Sequence, residues 1–195
     1  EVSVIQVLGK TVAAPGAAAH GQRKRQAVVE AAAVGDGVGL VDDHHWKGGA
    51  SKAKNGVIFN ANVPTEEVFT MPHRERVDGI VRATKPLSYQ GTIIDGIRVR
   101  FEKGRIVESH ADKGHEVFRK MIETDEGAAR LGEVALVPHS SPIAASGIVF
   151  NETLYDENAA SHIAVGQCYS DNMANSESLS KEQMQRLRSE FGIYG

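Results

Sequence analysis

Carboxylates, a histidine and a tyrosine crowd one stretch of this chain: Asp156-Glu157-Asn158-Ala159-Ala160-Ser161-His162, then Tyr169. Two more glutamates sit in apolar stretches that read as strands. Glu67 lies in Pro64-Thr65-Glu66-Glu67-Val68-Phe69-Thr70, and Glu133 in Leu131-Gly132-Glu133-Val134-Ala135-Leu136-Val137-Pro138. A carboxylate is costly to bury unless a cation or hydrogen-bond donors compensate it. With a histidine in the set, a divalent metal ion is the simplest compensating cation. Mixed oxygen and nitrogen donors suit zinc, cobalt or manganese. Each residue alone has a plainer account. An isolated strand glutamate usually faces solvent, and a lone histidine is usually structural. The spacing from Glu157 to His162 is not a short metal signature such as His-Glu-x-x-His. Glu66 and Glu67 face opposite sides of their strand, and composition does not choose between them.

Other reactive side chains carry weaker signals. His44-His45-Trp46 resembles a metal ligand pair, but adjacent histidines seldom converge on one ion, which favours packing. His73 and Arg74, with Lys85 beyond them, are cationic groups near the Glu67 stretch that could meet a substrate carboxylate or carbonyl. Cys168 reads as a small buried hydrophobe. Arg23-Lys24-Arg25 is one short basic cluster, which reads as a solvated face. Gly35-Asp36-Gly37-Val38-Gly39 lacks the spacing of a dinucleotide loop and reads as a turn.

The elements that must position these groups are mostly strands. Val57-Ile58-Phe59 and Glu67-Val68-Phe69-Thr70 are expected to be short strands. A meander is expected through Thr92-Ile93-Ile94, a turn at Asp95-Gly96, Ile97 to Phe101, a turn at Lys103-Gly104, and Arg105 to Glu108. Ile97, Val99 and Phe101 alternate with Arg98 and Arg100, the period of a half-buried strand. Residues 114–124 predict a helix, with Val117, Phe118, Met121 and Ile122 on one stripe. Thr124-Asp125-Glu126 is expected to cap a short helix ending near Gly132. Then come a strand over 133–138, a loop through Ser140-Ser141-Pro142, a strand over 147–150 and a helix over 158–166. Gln22 to Ala33 has helical composition. A polar helix starts at Ser180, with Met184, Leu187 and Arg188 on one face. The fold class is α+β, dominated by antiparallel strands with a few helices.

Bulk properties exclude several classes. At 195 residues with a formal charge of −3, the chain has no global attraction to nucleic acid or anionic membrane. No apolar run approaches the roughly 18 residues of a spanning helix. The single cysteine excludes an internal disulfide and fits a reducing cytoplasm.

Longer motifs connect the separate residues. Asn62-Val63-Pro64-Thr65-Glu66-Glu67-Val68-Phe69-Thr70-Met71-Pro72-His73-Arg74 is followed by Thr84-Lys85-Pro86-Leu87, Thr124-Asp125-Glu126-Gly127-Ala128, the Leu131 to Pro138 stretch, and Leu154-Tyr155-Asp156-Glu157-Asn158-Ala159-Ala160-Ser161-His162. In this order they resemble the thermophilic-type metallo-aminopeptidases, the family of aminopeptidase T, aminopeptidase S and PepS. The resemblance runs from about residue 36 to about residue 184. It implies a homodimeric exopeptidase that uses two divalent ions (zinc, cobalt or magnesium) to remove N-terminal residues from peptides. It implies metal ligands at Glu67, Glu133, His162 and Tyr169, with Glu157 as a further ligand or the catalytic base. Glu133 is expected to serve both ions and to be catalytic with Glu157. His73, Arg74 and Lys85 are expected on the substrate side.

Two departures shape the domain expectation. Residues 1–35 do not resemble the family's long N-terminal domain. The family's closing His-x-Asp motif is not found after His162. Residues 36–195 are therefore expected to be a catalytic domain incomplete at its C-terminus, a portion of a longer cytoplasmic enzyme. The competing expectation is a truncated, non-catalytic relative that dimerises or binds peptides.

Overall fold

The computed structural model describes residues 3–6, 37–60, 63–174 and 176–183. In chain order the strands are β1 (Ser3–Gln6), β2 (Gly37–Leu40), β3 (Lys47–Gly48), β4 (Ala50–Lys52), β5 (Ile58–Asn60), β6 (Val68–Thr70), β7 (Pro72–Arg82), β8 (Leu87–Tyr89), β9 (Thr92–Ile94), β10 (Arg98–Glu102) and β11 (Arg105–His110). Helix α1 (His115–Ile122), β12 (Leu131–Leu136), α2 (Pro142–Ser146), α3 (Thr153–Asp156) and β13 (His162–Val165) follow. Short 3₁₀ turns cover Glu157–Ala159, Ser170–Asn172 and Ser176–Ser178. The mixed, mainly antiparallel architecture matches the α+β expectation.

Two sheets organise the described residues. One has the order β1-β13-β12-β6-β3, the other β11-β10-β7-β2, and β4–β5 and β8–β9 form separate hairpins. All of these pairings are antiparallel. The main core joins Val77, Val81, Val99 and Phe101 of the four-stranded sheet to Val134, Ile163 and Val165 of the five-stranded sheet. Helix α1 adds Phe118, Met121 and Ile122 to that core. Their spacing gives α1 one apolar face. Burying each of these three side chains contributes about 1.5–3 kcal/mol. Glu116 in the first turn and Arg119 and Lys120 in the last complement the helix dipole.

The Lys103-Gly104 hairpin forms as its sequence predicts. Both residues take positive φ, 47° and 77°, as a two-residue hairpin turn requires. The rest of the expected meander is different, because β9 pairs with β8 and not with β10. Of the expected turn from Gly35 to Gly39, residues 37–39 belong to a strand on the edge of β7, and 35 and 36 lie outside the described residues.

Three expectations near the site are corrected. Residues 158–166 are not a helix but a 3₁₀ turn followed by β13. Ile163 and Val165 fill the core from a strand held between β1 and β12, and this pairing overrides local helix propensity. Residues 147–150 are not a strand. The Asp156 carboxylate instead accepts the backbone N–H groups of Phe150 and Glu152, at 2.8 and 3.1 Å, and folds this segment into a loop. The Thr124 stretch forms no helix before Gly132. Asp125 Oδ1 accepts from Gly127 N and Ala128 N and closes a turn instead. The expected loop at Ser141-Pro142 opens α2, with Ser141 as N-cap and proline in the first turn.

Ser180 caps a helical turn reciprocally with Gln183, a capping box. Met184, Leu187 and Arg188, the Gln22 to Ala33 helix and the Arg23 to Arg25 cluster lie outside the described residues.

Candidate metal centre

One face of the five-stranded sheet collects the site. Ala135 of β12 stands opposite His162 of β13, and Glu133 stands opposite Ala164. Ala135 also stands opposite Phe69 of β6. Side chains two residues apart share a face. Glu133, Ala135, His162, Ala164, Phe69 and, one step before β6, Glu67 therefore point the same way. Val134, Ile163 and Val165 point into the core on the other side.

A β-bulge makes this division possible. The register shifts between Leu131 and Glu133, so both Leu131 and Val134 reach the core while Glu133 turns to the site. Gly132 sits at the bulge, and a Cβ there would overlap the Gln167 carbonyl oxygen. Regular alternation from 131 to 137 would have placed Leu131 and Glu133 on one face.

The three donors converge closely. His162 Nε2 lies 3.1 Å from Glu67 Oε2 and 3.4 Å from Glu133 Oε1. His162 is fully buried, and the side chains of Glu67 and Glu133 are 12% and 10% exposed. His162 Nδ1 donates to the Ala160 carbonyl at 3.0 Å, which fixes the ring and leaves Nε2 facing the carboxylates. Despite their 3.1 Å separation, Glu67 Oε2 and His162 Nε2 are too poorly aligned for a hydrogen bond and pair only by charge when His162 is protonated. Two buried polar atoms aimed at a common point without a hydrogen bond are costly unless a cation lies between them. A metal ion satisfies both. One donor atom from each of the three residues lies within 4.8 Å of the other two. Tetrahedral zinc with bonds of about 2.0–2.1 Å needs donors roughly 3.3 Å apart, so the spacing fits.

Electrostatics extends the site to Glu157 and Tyr169. Burial raises the Glu157 pKa to about 8, with help from the Glu67 and Glu133 charges and against the pull of His162. Tyr169 is 57% exposed, and the part of it that is covered raises its pKa, again with Glu133, Glu157 and Glu67 contributing. Burial opposes a proton on His162, but Glu133 and Glu67 outweigh it and raise its pKa to about 10. The Tyr169 ring packs edge-on against Phe69 at 5.9 Å, on the site face.

The remaining candidates lie in other surroundings. His73 has its pKa lowered by burial and by Arg76, with Asp42 and Glu75 opposing, all groups around the four-stranded sheet. Arg74 pairs with Glu126 at 2.7 Å. Lys85 lies between β7 and β8, half-buried. His44 Nδ1 donates to the Val41 carbonyl at 2.7 Å, a structural bond. Cys168 packs against Val41, Met71 and Met173, as a small hydrophobe. A groove of about 500 Å³ beside Tyr89, Met121 and Gln167 contains none of the three donors. Sequence reasoning missed Asn158 and Asn172, both 1% exposed. Both follow an acidic residue, in Asp156-Glu157-Asn158 and Ser170-Asp171-Asn172, and nothing in these polar stretches marks a buried amide.

Residues 29–189 match the profile of the thermophilic metalloprotease (M29) family. The chain belongs to that family. It is 50% identical over 167 residues to "Aminopeptidase 2" of Geobacillus stearothermophilus, covering 86% of this chain and 40% of that protein. It is 60% identical over 136 residues to "Aminopeptidase T" of Thermus thermophilus, covering 70% of this chain and 33% of that protein. The solved structure of wild-type AmpT from Thermus thermophilus superposes with a TM-score of 0.70 at 58% identity, over 73% of this chain and 36% of that one. The chain thus spans between a third and two-fifths of the length of these relatives.

Proposed function

We propose that the protein is a metal-dependent aminopeptidase that hydrolyses the first peptide bond of peptides with a free amino terminus. The observation that carries this reading is the buried Glu67–Glu133–His162 trio, with two unsatisfied donor atoms facing one another. Family membership supports it, as do relatives named as aminopeptidases.

Glu67, Glu133, His162 and Tyr169 would hold two divalent ions, zinc, cobalt or magnesium, with Glu133 shared between them. When bound, such ions acidify a water molecule and polarise the scissile carbonyl. The chain's own residues do the rest. His162, locked by Ala160, presents Nε2 and cannot rotate away. Glu157 stands in a half-buried position where its proton affinity responds to the charge of its neighbours. With cationic charge in the trio its carboxyl ionises at lower pH. It then takes a proton from water at Oε and returns it to the leaving amine. The free amine of the peptide N-terminus, unprotonated, would be a further donor for the ions these residues hold, which would limit cleavage to the first bond. His73, Arg74 and Lys85 remain candidates for contacts further along the peptide. Assembly as a homodimer in the cytoplasm belongs to the same reading.

The test compares hydrolysis of an aminoacyl amide with its N-acetylated form, alongside metal content. Cleavage of the free amine alone, by metal-loaded protein alone, is expected. A protein that binds no divalent metal and cleaves neither substrate sinks the reading.

A further inference from the structure

We propose that Asn158 is a positioning residue, whose side chain sets the placement of Glu67 relative to Glu157. This rests on the aminopeptidase reading above and concerns the same site. Asn158 belongs to the Glu157–Ala159 turn and directly follows Glu157. Its Oδ1 accepts the backbone N–H of Glu66 at 2.7 Å, and Glu66 directly precedes Glu67. One side chain therefore joins the neighbours of two site carboxylates.

The clamp is well built. Asn158 is 1% exposed. Its Nδ2 donates to the Leu154 carbonyl at 2.9 Å and lies 3.5 Å from the Pro64 carbonyl. Its own carbonyl accepts the Ser141 hydroxyl at 2.6 Å. The backbone of Glu66 lies before β6 and outside the sheet ladder. On its C-terminal side Glu67 is held by β6, and on its N-terminal side by Asn158. Two carboxylates of like charge tend to separate, and the amide resists that separation. No other residue type of this size offers an acceptor to one backbone N–H and a donor to a distant carbonyl from one planar group.

The experiment compares Asn158→Ala with Ser141→Ala in the full-length enzyme. Ser141→Ala removes the hydroxyl that holds the same turn but leaves the Glu66 bond in place, so it reports simple loosening. Zinc affinity is read by calorimetry, and kcat and KM on an aminoacyl amide, beside the thermal midpoint. The expected result for Asn158→Ala is a loss of about 10–100-fold in zinc affinity and a comparable loss in kcat. KM should change little, and Ser141→Ala should keep affinity and kcat at a similar thermal shift. Should Asn158→Ala not fold, Asn158→Gln keeps both the acceptor and the donor but sets them one methylene further out, and is expected to lose zinc affinity and kcat by about 3–10-fold. Equal losses in Asn158→Ala and Ser141→Ala, or an Asn158→Gln enzyme with the parent's zinc affinity and kcat, overturn the positioning role alone. A parent enzyme without metal or hydrolysis overturns the aminopeptidase reading and this proposal with it.

Discussion

Glu67 Oε2 and His162 Nε2 stand 3.1 Å apart, both buried, and share no hydrogen bond. Metal binding is expected to stabilise the fold through this pair. At a free zinc concentration of 100 times Kd the gain is about 2.7 kcal/mol. Calorimetry with and without a chelator measures it. Glu67→Gln and His162→Gln should each abolish the metal-dependent shift. A shift that survives both substitutions excludes the trio as the binding site.

Glu133→Gln distinguishes a shared ligand from a simple one. If Glu133 serves both ions, the variant should lose metal stoichiometry and at least about 100-fold in kcat, consistent with a loss of charge stabilisation in the transition state. Elemental analysis and steady-state kinetics decide this. Unchanged stoichiometry with full activity removes Glu133 from the shared role.

The pH dependence of the metal-free protein follows from Glu157. Its folded pKa, about 8, lies above its ordinary value of 4.5. The folded state therefore holds this proton more tightly than the unfolded chain. Stability from this group is full below about pH 4.5 and declines as pH rises toward 8. His162 has the same sign over a higher window, from 6.5 to about 10. The thermal midpoint of metal-free protein should thus fall between pH 5 and 8 (the window set by those values). Glu157→Gln should flatten the slope across that window. A parent protein whose midpoint rises there contradicts the burial of Glu157.

Asn172 anchors the segment that carries Tyr169. Its Nδ2 donates to the His45 and Phe69 carbonyls at 3.2 and 3.1 Å, and its carbonyl accepts from His45 N at 2.6 Å. Asn172→Ala removes this donor from the Phe69 carbonyl, while Thr70 Oγ1 still serves the His45 carbonyl at 2.7 Å, and should cost about 1–3 kcal/mol. Denaturant unfolding should show that loss. Tyr169→Phe, which removes only a hydroxyl, should lower kcat with a much smaller change in stability.

How much of this was readable beforehand depends on the scale of the signal. The hairpin at Lys103-Gly104 and helix α1 were legible, because turn chemistry and apolar periodicity are local. β13 was not. Its four residues look helical with their neighbours, and only the partners on both sides make them a strand. The Glu66 or Glu67 choice was undecidable from period alone, while the fold places Glu67 Oε2 beside His162. The convergence of Glu67, Glu133 and His162 required long-range pairing, and only family resemblance supplied it earlier. The clamps at Asn158 and Asn172 were invisible, since a buried amide leaves no periodic trace.

Gly132→Ala should cost about 1–3 kcal/mol from overpacking, because the added methyl meets the Gln167 carbonyl. The bulge at this position carries a further consequence for how the strand can pair. Straightening β12 at constant length would restore simple alternation and bring Leu131 and Glu133 to the same side. Either an apolar side chain would then enter the site or a carboxylate would enter the core. A slip of register ordinarily weakens a sheet. In β12 a slip of one residue would exchange the inside of the protein for its chemistry.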